Sequence, residues 1–95
     1  MVSVGKKEYT RSVTVANVYG LHARPAAEFV KLAGKFESEI LVSKDGLEVN
    51  GKSIMGVMML AAERGSIIEI TARGEDAREA VQALVALVAD GFGEE

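Results

Sequence analysis

The chain has 95 residues, a formal charge of -3, no cysteine and a single histidine, with 48% hydrophobic and 26% charged residues. That length fits one domain around one core, and the missing cysteines exclude a disulfide framework, a thiolate nucleophile and a thiolate zinc site. The acidic balance and scattered basic residues argue against nucleic acid as the main ligand; with no run near the roughly 18 apolar residues of a membrane span and no apolar signal block in MVSVGKKEYT, the expectation is a cytoplasmic domain without membrane insertion.

The first seven residues read as a loose lead-in. Residues 8–15 alternate loosely and are rich in Tyr, Thr and Val, as a half-buried strand would be, and residues 17–20 supply turn residues. Ala26, Phe29, Val30 and Ala33 then recur at helical spacing, which predicts a helix over about residues 23–34, with Pro25 tolerated in its first turn. Ile40 and Val42 alternate with polar neighbours, Asp45-Gly46 is a tight-turn signal, and Leu47 and Val49 resume the alternation, so a β-hairpin is expected. Ser53 precedes a short, strongly apolar helical run from Ile54 to Leu60, which Gly65 should end. Ile68 and Ile70 read as a fourth strand closed by Gly74; Asp76 with Glu79 resembles a capping box, and Ala77, Ala80, Val81, Leu84, Leu87 and Val88 form the stripe of a last helix to about Gly91. This βαββαβα order packs most simply as an α+β domain, an antiparallel sheet with helices on one face. Glu75, Asp76, Glu79, Asp90, Glu94 and Glu95 gather toward the end and read as a solvated face without chemistry.

The histidine lies in Gly20-Leu21-His22-Ala23-Arg24-Pro25-Ala26, at the mouth of the first expected helix. Free backbone N–H groups at a helix start carry partial positive charge and favour an anion such as phosphate. Attack on phosphorus needs the neutral imidazole, which that field favours, and the Arg24 guanidinium can stabilise the transferred group with planar paired donors. From residue types and spacing alone, a histidine that merely ends a turn beside a surface arginine stays open and is the commoner outcome. A metal site is set aside, because only carboxylates could complete it.

Together with Asn50-Gly51-Lys52-Ser53-Ile54-Met55-Gly56, the histidine segment resembles HPr, the histidine-containing phosphocarrier of the bacterial phosphoenolpyruvate:sugar phosphotransferase system, over about residues 10–92. The resemblance implies a two-layer open-faced sandwich with sheet order 1-4-2-3 under three helices. It implies that His22 takes a phosphoryl group on Nδ1 from phosphorylated enzyme I and donates it to EIIA domains of sugar permeases, with Arg24 stabilising charge and no cofactor or metal. It also implies a monomer whose Ala23, Ala27, Ile54, Met55 and Met58 form the docking face. Ser53 reads from the residues as a helix cap; the resemblance adds that it is a regulatory phosphorylation site for an HPr kinase/phosphorylase, linked to a carbon-catabolite regulator. Alternatives are a nitrogen-branch phosphocarrier and a purely regulatory docking module. The lead before His22 is longer than the family's usual one, Gly34 replaces a commonly basic residue, and Met59 a commonly smaller or polar one.

Residues Gly46-Leu47-Glu48-Val49-Asn50-Gly51-Lys52-Ser53 also match the P-loop pattern letter for letter. A P-loop joins a buried parallel strand to a long helix through a loop of backbone donors. Here Leu47 to Asn50 alternate like a strand, so a nucleotide-binding enzyme is not expected.

Overall fold

The computed structural model describes residues 7–94. In chain order the elements are β1 (Glu8–Thr14), α1 (Ala23–Ala33), β2 (Glu39–Lys44), β3 (Leu47–Asn50), α2 (Ile54–Met59), β4 (Ile67–Arg73) and α3 (Ala77–Ala89), followed by a 3-10 turn at Gly91–Gly93. The types and order match the expectation. Of the expected lead-in, residues 1–6 lie outside the described residues; the carbonyl of Lys7 accepts a hydrogen bond from the amide of Gly74.

The strands form one antiparallel sheet in the order β1-β4-β2-β3. The β2–β3 hairpin closes on Lys44 paired with Leu47. Asp45 and Gly46 between them have φ of 51° and 85°, both positive as a two-residue hairpin turn requires. The core lies between one sheet face and the helices. The sheet contributes Val13, Ile40, Val42, Ile68, Ile70 and Ala72; α1 contributes Ala26, Phe29 and Ala33; α3 contributes Ala80, Val81, Leu84 and Val88, all buried. Helical spacing thus builds the upper layer and strict alternation the lower one.

Three local expectations need correction. Only Val13 of β1 is buried. β1 is an edge strand paired with β4 alone, so Tyr9 and Arg11, on Val13's face, line a shallow groove beside Arg78 rather than the core. The second helix stops at Met59, well before Gly65. The chain instead reverses at Ala61, whose φ is 49°, so that Leu60 and Ala62 are both buried. Gly65 serves the later turn into β4, where its amide donates to the carbonyl of Val15 at 2.8 Å.

The third correction concerns Asp76. It stands at the N-cap of α3 without extended backbone and makes no side-chain cap. Its carboxylate accepts from the amides of Glu37 and Ser38 at 2.8 and 2.9 Å and from the Ser38 hydroxyl. The carboxylate meets the buried approach to β2, where Ser38 is 1% exposed and needs a partner. These hydrogen bonds, the Ser38 hydroxyl foremost, hold the Asp76 carboxyl below the usual carboxylate range.

Candidate functional site

The loop before α1 is pinned from several sides. Gly20 has φ of 68°; its amide donates to the carbonyl of Asn17 at 3.2 Å, and the amide of Leu21 donates to the carbonyl of Ala62 at 2.9 Å. Leu21 is buried in the core. The extended backbone at His22 then directs the next side chain outward, and its carbonyl accepts from the amide of Ala26 at 2.9 Å, opening α1. His22 is therefore the N-cap of the helix, and no side chain caps that end. The amides of Ala23 and Arg24 have no partner among the described residues, and Pro25 has no amide hydrogen to offer.

The imidazole is 42% exposed and borders an open groove of about 880 Å³, whose walls include Tyr19, Arg24, Glu28, Phe92 and Glu94. The Tyr19 ring stands edge-on to it, with centroids 6.1 Å apart. Arg24 shares the groove and makes no ion pair among the described residues. An exposed imidazole, a guanidinium and two unclaimed amides thus meet at one helix mouth, and the guanidinium and amides are donors suited to an anion such as phosphate. Among the described residues no cluster of three or more His, Asp or Glu side chains could hold a metal ion.

Ala23 and Ala27 are exposed on α1, and α2 packs against that helix. On α2, Val57 is buried, whereas Ile54, Met55, Met58 and Met59 are 43%, 75%, 40% and 65% exposed. The short helix therefore splits its apolar residues between core and solvent. Ser53 caps α2 as expected, its hydroxyl accepting from the amide of Gly56 at 3.0 Å. The P-loop letters fall on a hairpin turn, on β3 and on the turn into the short helix α2. Lys52, the residue that would face phosphate, donates from Nζ to the carbonyl of Phe36 at 2.7 Å.

Two residues of the site escaped sequence reasoning. Glu94, read as a solvated charge, places Oε2 3.6 Å from Nε2 of His22. Its Oε1 accepts from Nδ2 of the buried Asn17 at 3.1 Å. The available signal was the pair Gly91 and Gly93, whose φ values of 66° and 72° turn the tail back across the groove around a partly buried Phe92.

Comparison with known proteins shows the family of the chain. The family model described as the PTS HPr component phosphorylation site matches residues 9–90. The chain is 50% identical over 84 residues to the phosphocarrier protein HPr of Cupriavidus necator, covering 88% of this chain and 94% of that one. It is likewise 50% identical over 78 residues to the HPr-like protein Crh of Halalkalibacterium halodurans, covering 82% and 93%. A crystal structure of HPr from Thermoanaerobacter tengcongensis superposes with a TM-score of 0.88 at 48% identity, covering 92% of this chain and 98% of that one. With the same sheet order and a helix-mouth histidine inside the matched segment, the chain belongs to the HPr family of phosphocarrier proteins of the phosphotransferase system.

Proposed function

We propose that His22 accepts a phosphoryl group on Nδ1 from phosphorylated enzyme I and passes it to EIIA domains of sugar permeases, the chain working as a cytoplasmic monomer. The Nδ1 lone pair forms the new bond to phosphorus, and the bond to the donor atom breaks with its electron pair staying on the donor. The observation that carries this reading is the exposed His22 ring at the uncapped start of α1, beside Arg24 and an open groove. The amides of Ala23 and Arg24, with the Arg24 guanidinium, are the groups that would hold the charge of the phosphoryl oxygens. Ala23, Ala27, Ile54, Met55 and Met58 would provide an adaptable apolar surface for several partners in turn.

Ser53 is the proposed regulatory site, modified by an HPr kinase/phosphorylase and read by a carbon-catabolite regulator. A phosphate there would sit at the start of α2 and place about two negative charges next to the docking residues. A second reading is a purely regulatory module that docks partners without transferring phosphate through His22. Incubation with phosphoenolpyruvate and enzyme I separates the two. The carrier gains an acid-labile phosphate that His22→Ala abolishes, whereas a docking module gains none. Mixing the phosphorylated chain with EIIA domains of the sugar or the nitrogen branch then identifies its acceptor.

A further inference from the structure

Asn17 is 2% exposed and lies outside every element of the fold. Its Nδ2 donates to the carbonyl of Gly20 at 2.7 Å and to Oε1 of Glu94 at 3.1 Å, while its Oδ1 is buried without a hydrogen-bond partner. An unmet buried acceptor is unfavourable, so the donor end of this amide must supply what retains it. That end joins the two segments flanking His22, the turn before the ring and the tail that folds back over the groove.

The other carboxylate oxygen of Glu94 lies 3.6 Å from Nε2 of His22, slightly beyond a direct hydrogen bond. We propose that Asn17 and Glu94 are positioning residues: Asn17 holds the Glu94 carboxylate against the Nε2 edge of His22, so the neutral ring keeps its proton on Nε2 and its lone pair on Nδ1. A ring nitrogen facing an acceptor carries the proton, and the opposite nitrogen becomes the nucleophile. The use made of this tautomer rests on the phosphocarrier reading. When Nδ1 bonds to phosphorus while Nε2 keeps its proton, the ring becomes positively charged, and the carboxylate already stands where that charge develops.

The test pairs the ¹⁵N chemical shifts of the His22 ring, recorded where it is neutral, with its phosphorylation by phosphoramidate, a small donor that needs no docking surface. The parent protein shows a protonated Nε2. Glu94→Gln moves both shifts toward a mixture of tautomers and slows phosphorylation about tenfold, the lower end of effects from removing such a partner, with unchanged circular dichroism. Asn17→Ala gives the same shift change; should it fail to fold, Glu94→Gln decides alone. Ring shifts in Glu94→Gln identical to the parent's overturn the proposal, whatever the rate does. If the parent takes phosphate from neither phosphoramidate nor enzyme I, the carrier reading falls instead, and the ring shifts still decide the roles of Asn17 and Glu94.

Discussion

Gly20→Ala tests whether the turn below His22 is fixed by steric fit. At its φ of 68° an alanine sits in the left-handed region, at a cost of about 1 kcal/mol. Its Cβ would lie 2.3 Å from the carbonyl oxygen of Ala62 and 2.9 Å from Cα of Glu63. Both neighbours are backbone, so no side chain can rotate away, and such overpacking adds about 1–3 kcal/mol. Gly46 is the matched control: its φ is 85° and a Cβ there meets nothing within 4 Å, so Gly46→Ala carries the backbone strain alone. A domain of this size loses about 4–8 °C of melting temperature per kcal/mol. Gly46→Ala should therefore melt roughly 4–8 °C below the parent, and Gly20→Ala roughly 10–30 °C below it. The Gly20 variant should also transfer phosphate about a hundredfold more slowly, because a shift of about 1 Å in a reacting group has that effect. Thermal melts by circular dichroism and the rate of phosphohistidine formation provide the readouts. Equal melting losses in the two variants would refute the view that the Ala62 backbone constrains this turn.

Ser53 separates cap from charge. Ser53→Ala loses the bond to the Gly56 amide and should cost about 1 kcal/mol in denaturant unfolding, whereas Ser53→Asp, an equally good cap, should keep its stability but slow phosphoryl transfer to His22. Equal transfer rates for Ser53→Asp and the parent would contradict a regulatory role. Asp76, its carboxyl held low chiefly by the Ser38 hydroxyl, adds stability above the unfolded carboxylate pKa of about 3.9. That contribution disappears as the pH falls through the lower folded value. Melting temperature should drop between about pH 5 and about pH 2, with a smaller drop in Asp76→Asn; matching acid slopes in the two proteins would exclude this assignment.

The layers were legible because burial has a period. The stripe of α3 and the alternation of Ile68 and Ile70 state which face meets the core. The hairpin was legible because positive φ at Asp45 and Gly46 leaves few residue choices. What stayed hidden depended on partners distant in sequence. Asp76 has the letters of a capping box, but its carboxylate is claimed by Glu37 and Ser38, 39 and 38 residues earlier. Ala61 takes a left-handed turn without glycine because Leu60 and Ala62 flank it in the core. The helix-mouth place of His22 followed from spacing with Arg24 and Pro25, whereas Glu94 looked like any other acidic residue of the tail.

The helix-free side of the sheet has its own use. Across β1, β4 and β2 the register aligns Glu8 with Arg73 and Glu39, Thr10 with Thr71 and Leu41, and Ser12 with Glu69 and Ser43. Arg73 pairs with both glutamates, and the two threonine hydroxyls share a hydrogen bond of 2.9 Å. Ser12 is exposed, and the chain contains no cysteine. A single cysteine introduced there could carry a dye or a surface tether, leaving the histidine side of the domain unencumbered for single-molecule observation.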